Sequence, residues 1–231
     1  MLWLLIIACA QSAPPPVAEP EPEFEPELEP VSEPKPRSPV WKADIAPLSA
    51  ETRAAMTGVS WRDGCPVHLD DLRQITMTHH TFDGRVVEGE LIVAASVAKT
   101  VQAAFKAAFD AGYPIKSMRP VRDFGGDDDK SMDENNTSAF NCRNVAGGSS
   151  WSQHSYGSAI DINPVENPYI NRAGRVSPSA GEAYVDRART DTPSLLTAES
   201  VLVVSLKAAG WGWGGEWSSL KDYQHFSASG R

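Results

Sequence analysis

The sequence predicts a fold that combines β-strands with α-helices, and three stretches carry this prediction. Two β-rich runs, residues 75–82 and 85–93, flank Asp83-Gly84, which is a strong signal for a β-hairpin. The run from Ser96 to Ala111 repeats apolar residues at helical spacing, with Ser96 as the expected N-cap. A second apolar stripe predicts another helix over residues 197–209.

Residues 1–9 form an apolar segment that is too short to span a bilayer as a helix. Ile6-Ile7-Ala8-Cys9 resembles a bacterial lipobox, in which signal cleavage leaves the cysteine as a lipidated N-terminus. We therefore expect an exported protein that is anchored in the cell envelope through Cys9 and faces the periplasm or wall. No Lys or Arg precedes the apolar run, unlike an ordinary secretory segment, so plain secretion and no export remain as alternatives.

Residues 10–40 form a linker that is rich in Pro and Glu. Seven glutamates against Lys35 and Arg37 give the stretch 14–39 a net charge of −5, out of −9 for all 231 residues. Because prolines fix φ and glutamates repel each other, we expect an extended spacer, with a disordered tail as the alternative. Residues 41–231 form the predicted folded domain, and its near-neutral charge argues against a nucleic-acid binder.

Three cysteines constrain the redox chemistry of the chain. If Cys9 takes lipid, Cys65 and Cys142 remain as an even pair in an oxidising compartment, and we predict a disulfide between them. Two free buried thiols are the alternative. Neither residue has a second cysteine at metal-ligand spacing, which makes a cysteine-based zinc site a poor explanation.

Two further stretches invite metal assignments that we do not adopt. His79 and His80 are adjacent on a predicted strand and point to opposite faces, so we expect ordinary surface or cleft residues. The run from Asp127 to Ser131 lacks the glycine and glutamate of a calcium loop, and we expect a solvated loop. Between these stretches, residues 115–121 are predicted to form a strand.

Two imidazoles and two carboxylates form the predicted chemical centre of the domain. His154 and Asp161 flank Gly157, which suits a histidine on a loop, a tight turn and an aspartate on a strand over residues 159–162. A carboxylate in that apolar strand needs a cation or hydrogen-bond donors. Asp222 and His225 follow near the C-terminus at a spacing that one turn or loop can present together.

A catalytic zinc site typically has three protein ligands and one open position for water. His154, Asp161 and His225 make such a set for one Zn²⁺, which leaves Asp222 to take a proton from the water as a general base. The alternative role for Asp222 is a hydrogen bond that orients His225.

The pattern S-x-H-x-x-G-x-A-x-D, followed by W-G-G and D-x-x-H-F, resembles the VanY-type D-Ala-D-Ala carboxypeptidase and L-alanyl-D-glutamate endopeptidase family of zinc peptidases. The resemblance covers about residues 57–227 and also includes the stretch from Asn136 to Arg143. It implies the metal ligands and the base named above. It also implies an α+β fold of the VanY/hedgehog-like type, in which a small antiparallel sheet flanked by helices carries the zinc site.

The family uses an arginine to stabilise the oxyanion or to bind a substrate carboxylate. Arg143, Arg122 and Arg119 are the candidates, and we favour Arg143 as the catalytic one because it lies in a matching stretch; a structural salt bridge is the alternative. We expect Ser152, Arg122 and Trp213 to contact the substrate. Core packing is the alternative role for the tryptophans that flank the site.

The resemblance implies a peptidase domain that cleaves the stem peptide of peptidoglycan, and the envelope anchor fits that substrate. A non-catalytic, zinc-containing module that binds the cell wall is the alternative function. A serine peptidase is disfavoured, because Ser96-Val97-Ala98-Lys99 matches S-x-x-K without the companion motifs of that class. We expect a monomer that touches a membrane only through its lipid anchor.

Overall fold

A computed structural model describes residues 39–230 of the chain. The predicted signal segment with Cys9 and all but the end of the predicted linker lie outside these residues, so both stay predictions. Within the described range, no helix is long and apolar enough to cross a bilayer. The described residues mix short helices with small sheets, as the sequence predicts.

Eleven strands occur in the described range, most of them short. They are β1 (Ala43–Pro47), β2 (Leu72–His80), β3 (Val86–Ala94), β4 (Ser117–Met118), β5 (Asn136–Thr137), β6 (Ala159–Asp161), β7 (Tyr169–Ile170), β8 (Val176–Ser177), β9 (Gly212–Trp213), β10 (Lys221–Asp222) and β11 (His225–Ser227).

Four α-helices accompany these strands in the same range. They are α1 (Ala50–Met56), α2 (Ala98–Asp110), α3 (Asp128–Asp133) and α4 (Val201–Ala208). Single 3₁₀ turns lie at Leu69–Asp71, Val121–Phe124, Gln153–Tyr156, Ser179–Tyr184 and Gly214–Glu216.

Three antiparallel sheets of three strands each build the described domain. The first has the order β1-β2-β3, and its long β2–β3 hairpin confirms the hairpin signal at Asp83-Gly84. The second has the order β6-β11-β9 and the third the order β10-β7-β8. A two-stranded parallel pair, β4-β5, completes the described pairing. The last two antiparallel sheets carry Asp161, His225 and Asp222 of the predicted site.

One continuous core connects the first sheet to the second. Val101, Phe105 and Ala108 on α2 are buried in the same cluster as apolar residues of β2 and β3. Leu206 of α4 and Phe226 of β11 belong to that cluster too. Because burying a large apolar side chain stabilises a fold by about 1.5–3 kcal/mol, this cluster gives the short strands of the second sheet a rigid support.

Local structure corrects three of the expectations from the sequence. α2 begins at Ala98 after Val97, which makes no side-chain capping bond, so the expected cap at Ser96 is wrong. The strand expected over residues 115–121 is reduced to β4, because a 3₁₀ turn begins at Val121. The expected loop at Asp127 is instead the start of α3, because the Asp127 side chain accepts the Lys130 N–H at 3.1 Å and caps the helix.

His79 is a fourth correction, because its side chain is buried rather than exposed or in the cleft. The two histidines do point to opposite faces of β2, and His80 is only half-buried. Burial lowers the pKa of His79, which favours the neutral imidazole. Both rings lie outside the predicted metal site.

Candidate functional site

His154 is held by a short turn that its neighbours determine. It lies in the 3₁₀ turn Gln153–Tyr156, and Ser152 Oγ accepts the His154 N–H at 3.3 Å to begin that turn. Gly157 ends the turn with φ +67°, a conformation that glycine adopts without strain. The sequence prediction of a tight turn between His154 and Asp161 is therefore correct.

Gly157 also brings the turn against the end of the long hairpin. Its carbonyl accepts the Ala94 N–H at 2.8 Å, and a Cβ atom at position 157 would lie only 2.6 Å from the Ala94 nitrogen. A side chain at this position would push the turn away from β3. The glycine therefore couples the position of His154 to the first sheet.

The second sheet places Asp161 and His225 side by side. They are direct partners in the antiparallel pair of β6 and β11, so their side chains share one face. The Asp161 backbone also exchanges two hydrogen bonds with Ser138, at 2.9 and 3.0 Å. Backbone pairing with β11 on one side and with Ser138 on the other thus fixes the direction of the Asp161 side chain.

The side chains of His154, Asp161 and His225 converge at this face. His154 Nε2 lies 3.2 Å from Asp161 Oδ2 and 3.2 Å from His225 Nδ1, and His225 Nδ1 lies 3.0 Å from Asp161 Oδ1. The three residues are buried and offer ligand atoms within 4.8 Å of one another. Two imidazoles and a carboxylate are ligands for divalent transition metals. Together the three residues can hold a metal ion, and we call them the metal group.

A backbone contact sets the tautomer of His154. Its Nδ1 lies 2.6 Å from the Ala139 carbonyl oxygen, so Nδ1 carries the proton and donates it there. Nε2 then keeps a lone pair on the side where the other two residues converge. This hydrogen bond to the second ring nitrogen is the usual way that proteins orient a metal-binding histidine.

Electrostatics favour a charged carboxylate at the centre of the group. Burial alone would raise the pKa of Asp161, but the imidazoles of His154 and His225 outweigh burial and hold that pKa below its ordinary value. Burial lowers the pKa of His154, and the Asp161 carboxylate raises it more strongly. Asp161 is thus ionised and ready to bind a cation.

Asp222 lies on the neighbouring third sheet and is the most unusual carboxyl of the site. Its Oδ1 is buried and has no hydrogen-bond partner in the described range. Burial, assisted by the negative charge of Asp161, raises the pKa of Asp222 to about 7. An unpaired buried carboxyl oxygen destabilises a fold, which makes Asp222 a candidate for a functional role.

A cleft of about 520 Å³ opens over this group. His154, Asp161, Asp222 and His225 all line it, and so does Ser152. Other walls come from α3, from the loop over residues 143–153, from the β7–β8 hairpin and from Trp217, whose ring lies 5.5 Å from the His225 ring. The cleft can therefore bring a substrate against both the metal group and Asp222.

This arrangement agrees with the comparison to protein families. Residues 146–228 match the family model of D-alanyl-D-alanine carboxypeptidases. The matched segment is that of a peptidase family and contains the metal group and Asp222, so it confirms the resemblance over these residues. The part of the resemblance that the sequence predicts for residues 57–145, with the stretch from Asn136 to Arg143, lies outside the match. No curated protein and no solved structure matches the chain.

Arg143 lies just outside the segment that matches the peptidase family, but it lines the same cleft. Its guanidinium lies 2.5 Å from Asp128 Oδ2, and both side chains are largely shielded from solvent. Arg143 Nε is buried and has no hydrogen-bond partner among the described residues. The preceding residue, Cys142, is joined to Cys65 in a disulfide, the pairing expected from the sequence, with 6.0 Å between the Cα atoms.

Two residues predicted to bind substrate lie outside this cleft. Arg122 donates to Glu90 at 2.8 Å in a partly buried ion pair and does not line the cleft. Trp213 is buried in the core, where its ring stacks on Phe226 and its Nε1 donates to the Tyr223 carbonyl at 2.8 Å. Their positions do not support the predicted contacts, and core packing is the role of Trp213.

Asp128 and Arg175 line the cleft and were missed in the sequence. Asp128 was assigned to a solvated loop, and the failed calcium motif gave no reason to connect it with Arg143. Arg175 lies within the matched segment but between its motifs, in a turn rich in polar residues. No local pattern marks either residue, since both reach the cleft through contacts between distant parts of the chain.

Proposed function

We propose that this chain is a zinc-dependent peptidase that hydrolyses the stem peptides of peptidoglycan. One observation supports this proposal more strongly than any other. A buried His154–Asp161–His225 group lies in the same cleft as the buried carboxyl of Asp222, whose Oδ1 has no protein partner in the described range. The match to the carboxypeptidase family supports the same reading.

His154, Asp161 and His225 are the residues that would hold Zn²⁺. Two imidazole nitrogens and one carboxylate oxygen leave a coordination position for water, as catalytic zinc sites require. Zinc at these residues would act as a Lewis acid towards the peptide carbonyl and lower the pKa of water to about 7.

Asp222 acts as the general base in this proposal. It takes a proton from the attacking water and delivers it to the nitrogen of the departing amine. In the metal-free chain, burial raises the pKa of Asp222 to about 7, so its environment makes this carboxylate a stronger base than that of an exposed aspartate. The buried Oδ1 is the atom that remains available for this proton.

Arg143 faces the charge that develops on the peptide carbonyl oxygen. Its Nε is buried without a partner in the described range, while Asp128 holds the other end of the guanidinium. A donor that is fixed before the reaction stabilises an oxyanion without reorganisation cost. Ser152 is placed at the cleft wall, where its hydroxyl begins the turn that carries His154.

The substrate and location follow from the family and from the N-terminal sequence. The bond hydrolysed is D-Ala-D-Ala, as the description of the matched family names it, or L-Ala-D-Glu. The antiparallel sheet that carries the metal group fits the VanY/hedgehog-like fold that the resemblance implies. We propose export, with Cys9 as the lipid anchor and the domain held near the wall.

A wall-binding module without catalysis is the other function considered. Such a module needs the metal group for stability at most, and it gains nothing from a buried carboxyl oxygen, Asp222 Oδ1, that has no partner in the described range. Leaving such a group unpaired costs about 1–3 kcal/mol or more when it is charged. Asp222 therefore favours the enzyme.

The decisive experiment incubates the purified, zinc-loaded chain with defined muropeptides and identifies the products by mass spectrometry. Parallel reactions contain a chelator or use Asp222→Ala. Loss of one alanine, abolished by both treatments, identifies a carboxypeptidase. Release of the whole stem from its sugar-linked L-Ala identifies an endopeptidase. Zinc binding without any product from muropeptides or intact sacculi would overturn the proposal in favour of the binding module.

A further inference from the structure

The β7–β8 hairpin presents an ordered row of side chains to the cleft. Residues alternate between the two faces of a hairpin, and Tyr169, Asn171, Arg175 and Ser177 all line the cleft. Arg172, on the same turn, is exposed like Arg175 but does not line the cleft. The hairpin thus has a cleft face, with Arg175 on it, and an opposite face.

The strand pairing of the third sheet determines the distance between Arg175 and the proposed base, Asp222. Asp222 pairs with Tyr169, and Tyr169 pairs with Ser177, so the three residues form one row across β10, β7 and β8. Arg175 lies two residues before Ser177 along the hairpin. Arg175 is therefore separated from Asp222 by two inter-strand spacings across the sheet and by the rise of two residues along the strand. At right angles these two displacements combine to about 12 Å between the Cα atoms.

Hydrogen bonds hold the turn of the hairpin in place. The Asn171 side chain accepts the Ala173 and Arg175 N–H groups at 2.9 and 3.0 Å, and the Asn171 N–H donates to the Arg175 carbonyl at 3.0 Å. Gly174 takes φ +80°, which completes the tight turn. Both backbone polar groups of Arg175 are therefore bonded, and its side chain has a fixed starting point at the cleft.

Arg175 and Arg143 both line the cleft, but they differ in whether their charge is already paired. Arg143 is already paired with Asp128 at 2.5 Å. The guanidinium of Arg175 has no hydrogen-bond or ion-pair partner in residues 39–230. Asp128 and Asp129, which also line the cleft, are acidic and repel a carboxylate, so among the described residues Arg175 is the unpaired cation of the cleft that can accept an anionic group.

We propose that Arg175 is a specificity-determining residue that binds a free carboxylate of the peptide substrate. The guanidinium fork suits a carboxylate, and the distance to Asp222 places that group one or two residues from the scissile bond. The inference rests on the proposed function, which supplies the peptide. Either a C-terminal carboxylate or a side-chain carboxylate of the stem peptide has the required chemistry.

The test compares the full chain, zinc-loaded, with Arg175→Ala, Arg175→Lys and the matched control Arg172→Ala. The probes are three versions of a synthetic stem peptide that contains both L-Ala-D-Glu and D-Ala-D-Ala bonds. One version has all carboxylates free, one has the C-terminal carboxylate amidated, and one has the D-Glu carboxylate amidated. KM and kcat are measured for each pair.

Arg175→Ala should raise KM for the free peptide by about 10- to 100-fold, the usual worth of a hydrogen-bonded charge, with little change in kcat. Amidation of the recognised carboxylate should raise KM of the wild type by a similar factor and leave Arg175→Ala unaffected. The amidated version that does this identifies the carboxylate. Lysine should restore part of the affinity, and Arg172→Ala should match the wild type.

Equal effects of Arg175→Ala on the free and both amidated peptides would overturn the inference, as would an unchanged KM. If the wild type makes no product, the proposed function fails by itself, and calorimetric binding of the same peptides replaces KM. A loss of binding in Arg175→Ala that depends on one carboxylate would still support the role of Arg175, and equal binding by both proteins would overturn it.

Discussion

Gly214 packs directly on the backbone of Asp222. A Cβ atom at position 214 would lie 2.4 Å from the Asp222 carbonyl oxygen and 2.8 Å from the Asp222 Cβ. Neither contact can be relieved by a side-chain rotation alone, because both involve atoms fixed to the main chain. Because Gly214 of the W-G-G motif has no side chain, the strand that carries the proposed base can lie close to the metal group.

Gly214→Ala should displace Asp222 while leaving the metal ligands in place. A shift of about 1 Å at a catalytic group costs up to about 10²-fold in rate, and we expect a loss of that order in kcat. Zinc content, measured by elemental mass spectrometry, should remain that of the wild type. Gly148→Ala is the control, since its new methyl group would meet only ordinary contacts, the nearest at 3.5 Å. Equal activity of the two variants would contradict the packing argument.

Metal removal should separate the roles of the histidines. Zinc present at 100 times its dissociation constant stabilises a folded protein by about 2.7 kcal/mol, so the wild type should melt at a higher temperature with zinc than with chelator. His154→Ala should lose both this shift and the peptidase activity. His68→Ala, which changes an exposed histidine outside the group, should keep both. A zinc-dependent shift that survives in His154→Ala would refute the assignment of this ligand.

Asp222 should make the metal-free protein less stable as the pH rises. The folded state holds a proton on Asp222 up to about pH 7, whereas the unfolded chain releases it near pH 4. The folded state thus binds more protons in this window, and its free energy of unfolding falls between these two pH values. Asp222→Asn should remove this loss and be more stable than the wild type at pH 8 by roughly 1–3 kcal/mol.

Urea unfolding in the presence of chelator, from pH 4 to pH 8, measures this difference. The two proteins should agree near pH 4 and diverge above it, because the other titrating groups are common to both. Asp63→Asn, at an exposed aspartate, should follow the wild type throughout. Parallel curves for Asp222→Asn and the wild type would show that Asp222 titrates normally. The zinc-loaded Asp222→Asn variant should have no activity.

Asp128→Asn should reduce activity through its effect on Arg143. Loss of a charged hydrogen-bond partner costs about 1.5–3 kcal/mol, and we expect kcat/KM to fall about tenfold or more as the guanidinium loses its fixed position. In an Arg143→Ala background the same change should have no further effect, since the two residues act as a unit. Asp129→Asn, at a neighbour that lines the cleft without an ion pair to Arg143, is the control. Additive losses would disprove the coupling.

The disulfide should account for a measurable part of the stability. It links positions 77 residues apart, and the double variant Cys65→Ser/Cys142→Ser should lower the free energy of unfolding by about 2–4 kcal/mol. Reductant should destabilise the wild type by a similar amount and leave the double variant unchanged. A reductant effect of equal size on both proteins would assign the loss to another cause.

Local pattern was sufficient for the parts of the protein that depend on neighbouring residues. The β2–β3 hairpin follows from alternating β-rich runs around Asp83-Gly84, and the turn at Gly157 follows from a glycine between His154 and Asp161. The matched peptidase segment is of the same kind, since its residue types stand at short, fixed spacings. The error at the N-terminus of α2 arose where a capping serine was available and the chain did not use it.

Local sequence patterns do not predict contacts between distant segments of the chain. Nothing near Asp128 indicates that it meets Arg143, and nothing near Arg122 indicates that Glu90 takes its guanidinium. Arg175 reaches the cleft only because β7 pairs with both β10 and β8. The sequence by itself determined the candidates for metal binding and proton transfer, His154, Asp161, His225 and Asp222, through residue type and local spacing. Tertiary structure alone decided which charges are paired and which face the cleft, because strand register and packing bring together residues whose separation along the chain carries no periodic signal.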